Sequence, residues 1–559
     1  MWGEPEMRSG RREFLAGVGA VASLGSLLPL PNAAAQVRPA PRMRLEEFVT
    51  SPGRVEALKR GVAAMKARRP SDPKSWFFQA AVHGVSDLAI VEAERADPAV
   101  RAVVSDGRFW NKCPHHGEPS ADFLLWHRAY LFYFERILRE ASGDPSLSVP
   151  YWNYNDPAQR AFPGLFADAD RADPRDPDSP ARNPLFDERR EASLVAGVTE
   201  LSERAVSLTA VMNERDFFGV DETQGVAGAV ADQLVGTQGL LERRPHNGVH
   251  FAIGGVIGTG DLPPASTANA GLMADPETAA FDPVFWVHHS NVDRLWRVWD
   301  CLPERHWGQL PARSWFNERP WHFHDVSGTV RNEARLFYLK DGNLPDVRFD
   351  SGDQACTPLS AQDPFPVAVA GGGASAAVRI TFDQREELGA VQEPLALSAE
   401  RPVQANVPFS VPVAGDASPA RRLERAAPQR PRRVVLELAG VSYSSPPSVG
   451  YDVFVNLPEG TEADPNGPYF VGSLALFGTK HDGAGPHAGH GTADGSLQQF
   501  DITSQMRATT SDPSRVKVSI VPFDLLTSRR ADASPPRRDG GVRVREMRVL
   551  LTEGASRPN

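Results

Sequence analysis

Residues 282–293 read DPVFWVHHSNVD, and residues 123–131 read FLLWHRAYL. In the first stretch His289 shares a predicted helix face with Val292 and Trp296, and in the second His127 shares one with Leu131. A histidine on the apolar face of a helix needs a partner for its buried ring nitrogens. These two stretches therefore predict helices that meet in a common core and bring histidines into it.

A third stretch, residues 246–250, reads HNGVH and places His246 and His250 on one helical face. Surface helices also carry such pairs by chance. A zinc protease would need glutamate directly after the first histidine, but Asn247 stands there and excludes that class. Several histidines facing one core predict a metal bound between bundle helices, and imidazole-only ligation suits copper or zinc better than magnesium or calcium.

Composition narrows the class of protein further. The chain has 559 residues, of which 41% are hydrophobic and 23% charged, as in ordinary globular proteins with two to four domains. The net charge of −10 gives no overall basic footprint for nucleic acid. Three cysteines exclude a disulfide scaffold, and 8 of the 14 histidines fall between His83 and His289.

Residues 1–35 have the features of a twin-arginine signal peptide. Arg11-Arg12 precedes an apolar run from 14 to 30, and three alanines at 33–35 offer a cleavage site. A membrane anchor is the alternative, but this run is short for a span of about 20 residues. We therefore expect export by the twin-arginine machinery to the periplasm or beyond, without stable membrane insertion after cleavage.

The rest of the chain divides by pattern. Residues 45–300 are mostly helical, 301–360 are irregular and aromatic, and 361–433 are rich in proline, alanine and arginine, which predicts a linker with one strand at 378–382. Short strands are predicted at 434–438, 453–456, 469–477, 516–521 and 542–545. The fold prediction is a mainly α protein, followed at 434–552 by a small β-sandwich.

The histidine stretches resemble the type-3 copper family, which comprises tyrosinases, catechol oxidases and hemocyanins. The motif with Asp282, Pro283, Phe285, His289 and Asp293 is similar to the family's second-copper signature, and the stretch from Phe123 resembles its first-copper signature. The resemblance is strong over about 70–300. Residues 451–456, YDVFVN, resemble the C-terminal domain of plant polyphenol oxidases.

This resemblance implies a four-helix bundle that holds two copper ions with three histidines each. It assigns the first copper to His83, His115 and His127, and the second to His246, His250 and His289. Asp293 is then a structural carboxylate and not a ligand.

The middle ligand of the first copper departs from the family pattern, because His115 and His116 lie farther before His127 than the family's spacing. We favour His115, since Cys113-Pro114-His115 resembles the Cys-x-His of fungal relatives, where the sulfur is bonded to the ligand ring. An inert buried thiol is the alternative for Cys113. Cys301 and Cys356 could form a disulfide in an oxidising compartment.

The resemblance also implies the activity, which is oxidation of small phenols and catechols by O2 to o-quinones. A phenol has an ordinary pKa near 10, so a base is useful. Glu242 stands where plant relatives hold a water, with a surface salt bridge as the alternative, and Asn247 stands where tyrosinases orient that water. Phe285 matches the family's gate phenylalanine, with plain core packing as the alternative.

Other functions remain open at this stage. An oxidase of catechols or o-aminophenols without action on monophenols would use the same ligands, as would a hemocyanin-like O2 carrier. A metal-free structural descendant is disfavoured because all six ligand positions are filled. We expect the C-terminal domain to act as an inhibitory lid on the copper site, with a permanently docked stability module as the alternative.

Overall fold

The computed structural model describes residues 38–114, 121–170, 182–219, 225–228, 238–255, 270–308, 310–350, 358–361, 364, 378–409, 432–479, 496–508, 515–531, 534–535 and 537–558. Residues 39–559 form one unit by their internal contacts. The predicted signal peptide at 1–35 lies outside the described residues.

Up to residue 350, helices are the main regular structure of the described part of the chain. The helices are α1 (Leu45–Phe48), α2 (Pro52–Lys66), α3 (Trp76–His83), α4 (Asp87–Ala96), α5 (Val100–Asp106), α6 (Asp122–Ser142), α7 (Gly164–Ala167), α8 (Ala192–Val195), α9 (Thr209–Asn213), α10 (Asn247–Gly254), α11 (Val284–Asp300), α12 (Arg313–Asn317) and α13 (Arg335–Leu339). Within the described residues, none is long and apolar enough to cross a bilayer.

Short turns and strands connect these helices. The 3-10 turns are Pro157–Gln159, Leu272–Ala274, Ala279–Phe281, Asp341–Asn343 and Leu359–Ala361, and a π-type turn spans Glu242–His246. The short strands are β1 (Thr199–Leu201), β2 (Asp216–Phe218), β3 (His306–Gly308), β4 (Phe323–His324) and β5 (Val330–Arg331).

Local sequence explains where the histidine-bearing helices begin and end. The Ser75 hydroxyl accepts a hydrogen bond from the Phe78 amide at 2.9 Å and caps α3. Helix α6 ends at Gly143, whose φ of 69° is the left-handed conformation that favours glycine. At the start of α11 the Asp282 carboxylate accepts from the Val284 amide at 2.9 Å, so this motif aspartate has a capping role.

The aromatic extension after α11 packs on α6. The Phe323 ring stacks on Tyr133 at 5.3 Å between centroids, and it also contacts Trp126 at 5.9 Å. The Arg335 guanidinium on α13 forms an ion pair with the buried Asp122 at 2.7 Å. The extension therefore covers the outer side of a helix that carries a predicted copper ligand.

The C-terminal region is rich in β-structure. Its strands are β6 (Val378–Val391), β7 (Leu395–Ala396), β8 (Val403–Pro408), β9 (Arg432–Val441), β10 (Val449–Val455), β11 (Phe470–Ser473), β12 (Ser496–Asp501), β13 (Arg515–Asp524), β14 (Leu526–Ser528), β15 (Arg543–Val544) and β16 (Glu546–Pro558), with one helix, α14 (Thr503–Ala508). Two four-stranded antiparallel sheets have the orders β11-β10-β13-β8 and β12-β9-β16-β6. We call residues 378–558 the sheet module.

The segment 361–433 was predicted as a linker, but its described parts contain strands of both sheets. Strand β6 pairs with β16, β8 pairs with β13, and β9 already begins at Arg432. The strand predicted at 378–382 is confirmed as the start of β6. Strand β8 and the start of β9 at Arg432 were missed, because their partners lie more than 100 residues away and the local composition gave no signal for them. Strand β11 is also shorter than the predicted 469–477 and ends at Ser473.

A buried ionic network joins α6 to α11. The Arg42 guanidinium donates to Glu135 on α6 at 2.7 Å and to Asp293 on α11 at 2.8 Å, and Arg128 donates to Asp293 at 2.7 Å. Arg42 and Arg128 are each only 1% exposed. Asp293 therefore accepts two charge-assisted hydrogen bonds that hold α6 and α11 together, which is consistent with the structural role expected for it.

We expect Arg42→Met to lower the free energy of unfolding by about 3–5 kcal/mol, because removal of one partner leaves buried carboxylates without compensation. The measurement is urea denaturation of the metal-free protein. Arg101→Met is the matched control, since the Arg101 side chain is 80% exposed and its pairing with Glu94 at 3.6 Å is expected to contribute little. Equal midpoints for the two variants would contradict a stabilising role for the network.

Candidate metal centre

His83 and His127 enter the core from α3 and α6. The His83 Nδ1–H donates to the Pro276 carbonyl at 2.8 Å, and the His127 Nδ1–H donates to the Phe123 carbonyl, also at 2.8 Å. Their ring centroids lie 5.6 Å apart. Both side chains are buried, at 0% and 3% exposed.

His246 and His250 enter from the other side. His246 closes the π-type turn and immediately precedes α10, while His250 lies one turn later, so the two rings are 4.4 Å apart. The His250 Nδ1–H donates to the Met273 carbonyl at 2.8 Å. His246 Nδ1 lies 2.9 Å from Asn247 Oδ1.

Helix α11 brings two further histidines into the same place. Among the described residues there are two groups of histidines whose possible ligand atoms lie within 4.8 Å of one another. His83, His127 and His289 form one group, and His246, His250, His288 and His289 form the other. His289 belongs to both, and its Nε2 lies 3.4 Å from His250 Nε2. Five of the six predicted ligands, all except His115, therefore converge on one buried region.

His288 is the histidine that sequence reasoning passed over in favour of its neighbour. Its Nδ1 lies 3.1 Å from the Tyr154 hydroxyl, and its ring lies 4.9 Å from that of His250. The adjacent histidines in the quoted motif were the available signal. Spacing alone could not say that both rings of an i, i+1 pair would face the same cluster.

The hydrogen bonds of the histidine rings also fit a metal site. His83, His127 and His250 each use Nδ1 to donate to a backbone carbonyl, which directs Nε2 toward the cluster. Burial lowers the pKa of His250, His288 and His289 well below the usual value, with neighbouring imidazoles adding to the effect. Within the described residues both groups consist of histidines alone, and neutral imidazoles suit copper.

Cys113 lies at the edge of this cluster. Its Sγ is 3.7 Å from Nε2 of His127, it is buried, and it forms no disulfide. His115 and His116 lie outside the described residues, so the middle ligand and the sulfur bond to its ring stay predictions. Cys301 is disulfide-bonded, and Cys356 lies outside the described residues.

Phe285 lies among the ligands. Its ring centroid is 4.2 Å from that of His289 and 4.9 Å from that of His83, and the side chain is fully buried. It therefore contacts one histidine from each group. This position is compatible with the expected gate and with packing that orients both rings.

Glu242 and Asn247 flank His246. Glu242 is 3% exposed, which excludes the surface salt bridge considered from the sequence, and desolvation raises the pKa of its carboxyl well above the usual value. Arg243 beside it opposes this shift. The Asn247 Nδ2–H donates to Gln238 Oε1 at 2.6 Å, and Asn247 Oδ1 faces His246.

Two residues at the site could not be found from the sequence. Phe477 of the sheet module stacks on His250 with centroids 4.1 Å apart and also contacts His246 at 5.6 Å. Gln238 donates from Nε2 to the Phe477 carbonyl at 3.0 Å. Phe477 is separated from His250 by more than 200 residues, and neither residue belongs to a local motif.

Comparisons with known proteins place the histidine cluster inside a matched domain. Residues 73–302 match the family model for the common central domain of tyrosinase. Residues 384–531 match a domain of unknown function, DUF7868, which overlaps the sheet module. The first match spans α3 to α11 and so includes all the described histidines of the cluster.

Two curated relatives are a tyrosinase and a polyphenol oxidase. A tyrosinase of Hahella sp. (strain CCB-MM4) is 34% identical over 283 residues, which cover 48% of this chain and 55% of that protein. The chloroplastic polyphenol oxidase II of Ipomoea batatas is 24% identical over 479 residues, which cover 81% of this chain and 69% of that one. The chain thus spans about half to two thirds of the length of these relatives.

Solved structures share the fold. Recombinant latent aurone synthase, a polyphenol oxidase, superposes with a TM-score of 0.52 at 20% identity and covers 93% of this chain and 90% of that chain. Latent apple tyrosinase gives a TM-score of 0.52 at 19% identity and covers 93% and 98%. Both alignments extend through the helical region and the sheet module.

We expect the copper-loaded protein to bind about two copper ions per chain, and His250→Ala and His289→Ala each to lose at least one, because both variants remove an Nε2 from the cluster. Elemental analysis after dialysis measures this. His288→Ala compares the two histidines of the motif, and His116→Ala against His115→Ala identifies the middle ligand.

The exposed His306 supplies the control, since His306→Ala should retain both ions. Full copper content in His250→Ala or His289→Ala would contradict the ligand assignment. A loss in His288→Ala equal to that in His289→Ala would instead mean that both rings bind metal.

Proposed function

Because the chain belongs to the tyrosinase and polyphenol oxidase family, we propose that it is a type-3 copper oxidoreductase that oxidises small phenols and catechols with O2 to o-quinones. The observation that carries the proposal is the convergence of His83, His127, His246, His250 and His289 in one buried cluster. Such a neutral, imidazole-only cluster is suited to a pair of copper ions.

The coppers, when bound by the two histidine groups, would supply the exchange of two electrons with O2. The chain's own residues supply orientation and proton handling. Backbone carbonyls of Phe123, Met273 and Pro276 hold three ligand rings in place. The buried aromatic surface of Phe285 excludes water beside them.

Glu242 is proposed as the base that takes the phenolic proton through a held water. Burial raises the pKa of the Glu242 carboxyl toward neutral pH. A general base is most effective when its pKa lies near the pH of the reaction. Asn247, next in sequence to His246, is proposed to orient that water. This role distinguishes monophenols, which must be deprotonated, from catechols, which lose a proton more readily.

An oxidase of catechols or o-aminophenols is the second candidate. In its favour, the Asn247 amide is already engaged, since Nδ2 donates to Gln238 and Oδ1 faces His246. An amide held in this way is less available to a water. The two candidates share the copper cluster and differ only in whether monophenols are hydroxylated.

The finer architecture and location are proposals as well. Helices α3, α6, α10 and α11 are proposed to form the four-helix bundle of the copper site, and the two sheets of the module to pack as a sandwich. The paired arginines of residues 1–35 support export of the folded, metal-loaded protein by the twin-arginine route.

The function is tested by assaying one copper-loaded preparation with a monophenol and with a catechol while O2 uptake is recorded. Glu242→Gln should lower monophenol turnover by about 100-fold, because a general base is lost. The loss on the catechol should be much smaller.

Glu203→Gln is the matched control, since the Glu203 side chain is 86% exposed and pairs loosely with Arg160 at 3.7 Å. It should change neither rate. Equal losses on both substrates in Glu242→Gln would mean that Glu242 has only a structural role. Absence of catechol oxidation by the copper-loaded wild type would refute the proposed function itself.

We further propose that the sheet module is an inhibitory lid, with Phe477 as the side chain that covers the second histidine group. The Phe477 ring is fully buried and stacks on His250 at an interplanar angle of 26°. A phenolic substrate would need this space, because His250 and His246 form one wall of the cluster.

Ionic and main-chain contacts hold the lid in place. The fully buried Asp452 of β10 pairs with Arg204 at 2.6 Å and with Arg244, two residues before His246. Strand β14 pairs with β1 of the helical region, and Arg538 pairs with Glu191 at 3.1 Å. Release of the lid would therefore require several charged contacts to be broken together.

The arginines at 421–433 offer trypsin several cleavage sites, but their place in the chain limits what a cut there would show. Residues 410–431 are bounded by β8 and β9, and both strands belong to the four-stranded sheets. A cut there would leave the sheets paired. Activation by trypsin at 421–433 is therefore a weaker test of the lid than a change at Phe477.

We expect Phe477→Ala to raise catechol oxidation by the full-length, copper-loaded protein several-fold, since the ring that covers His250 is removed. The measurement is the initial rate before and after brief exposure to detergent, which should activate the wild type more than the variant.

Phe470→Ala is the control, because among the described residues the Phe470 ring contacts Phe454 of the module and no histidine ring. It should behave like the wild type. An unchanged rate in Phe477→Ala at normal copper content would leave the module as a permanently docked stabilising domain.

A further inference from the structure

Gln238 links the sheet module to a copper ligand. Its Nε2–H donates to the Phe477 carbonyl at 3.0 Å, and its Oε1 accepts from Asn247 Nδ2 at 2.6 Å. Asn247 Oδ1 lies 2.9 Å from Nδ1 of His246. Three hydrogen bonds in series therefore run from the proposed lid to the first histidine of the second group.

The direction of the series is fixed at its first member. A backbone carbonyl can only accept, so Gln238 must turn its amide nitrogen toward Phe477 and its oxygen toward Asn247. Asn247 must then turn its nitrogen toward Gln238 and its oxygen toward His246. Since that oxygen can only accept, Nδ1 of His246 carries the proton and Nε2 is left to face the cluster.

The backbone of Gln238 is anchored as well as its side chain. The Gln238 carbonyl accepts from Arg243 Nε at 2.8 Å, and the Arg243 guanidinium lies 5.1 Å from the centre of the Phe500 ring in the sheet module. Arg243 is 6% exposed. Gln238 is therefore held at a contact between module and helices, where both ends of its amide are used.

We propose that Gln238 is a positioning residue that couples docking of the sheet module to the orientation of Asn247 and of the ligand ring of His246. The proposal rests on the proposed function, because it takes His246 as a ligand of the second copper. It adds a residue that has no direct contact with the cluster but determines how one ligand presents its Nε2.

Coupling of this kind is reciprocal. If docking orients His246 for the metal, then metal bound at His246 must favour docking by the same factor. Hydrogen-bond partners of metal-bound histidines typically change metal affinity by about 10–100-fold when they are removed. Gln238 acts through one intervening amide, so the lower end of that range is expected.

Two substitutions separate the two halves of the series. Gln238→Met keeps the length of the side chain but neither donates nor accepts, so both bonds are lost. Gln238→Glu at pH 8 presents only acceptor oxygens. It keeps the bond from Asn247 and loses the bond to the Phe477 carbonyl.

The control is Gln505→Met. Gln505 is half-buried like Gln238, and its Nε2 donates to the Phe470 carbonyl at 2.9 Å within the module. Its substitution removes an equivalent bond without touching the series.

Two measurements on the full-length protein test the proposal. The first is the equilibrium affinity for the second copper, obtained by competition with a chelator. The second is hydrogen exchange of the peptide at residues 474–479 in the metal-free protein, which reports docking of the loop that carries Phe477.

We expect Gln238→Met to bind the second copper about tenfold more weakly and to exchange faster at 474–479. Gln238→Glu should exchange faster too but keep an affinity close to that of the wild type, and Gln505→Met should match the wild type in both. A general packing defect at position 238 would weaken copper binding in both variants. An affinity kept by Gln238→Glu therefore excludes that explanation.

Unchanged copper affinity in Gln238→Met, or equal losses in the methionine and glutamate variants, would overturn the proposal. Unchanged exchange in both variants would overturn the link to the module. Neither measurement requires turnover, so failure of the proposal about Gln238 is distinguishable from failure of the proposed function. Failure of the proposed function would show as a wild type that binds copper but does not oxidise catechol.

Discussion

The two helices that carry His127 and His289 are held together by charges buried away from water. Asp293 accepts hydrogen bonds from Arg42 and Arg128, and Arg42 also reaches Glu135. Burial of such charges is tolerated only when each is paired, so the network is satisfied in one relative placement of the helices. A slip of α6 along α11 by one turn, about 5.4 Å, would leave carboxylates unpaired in the core. The metal centre depends on this placement because each helix contributes a histidine to it.

Within that frame, the ligand rings are oriented mainly by backbone oxygens. Pro276 and Met273 lie in the chain between α10 and α11, and their carbonyls hold His83 and His250. A carbonyl fixed by the backbone is a more rigid acceptor than a side chain, since no rotamer must be frozen. Three of the rings are thus set by main chain, whereas His246 depends on side-chain amides. The second histidine group is therefore the one open to influence from outside the helices.

The sheet module provides that influence. It places an aromatic ring on His250, a carbonyl on Gln238 and a buried carboxylate beside Arg244. These three contacts lie within a short stretch of chain around His246. The proposed shielding of the cluster and the proposed orientation of His246 would therefore depend on one interface.

The sequence by itself determined the helices, the histidines and the class of metal. Spacing predicted α6 and α11, and the fixed period of a helix is sufficient for that. The resemblance of the two motifs supplied the expected ligands, and five of these six lie in the described cluster. The network of Arg42, the shared position of His288 and the contacts of Phe477 and Gln238 were decided only by tertiary structure. Each joins residues far apart in the chain, and no local pattern encodes which distant group a side chain will meet. The start of β6 was predicted, whereas its continuation to Val391 and strand β8 were missed for the same reason, because a strand depends on its partner as well as on its own residues.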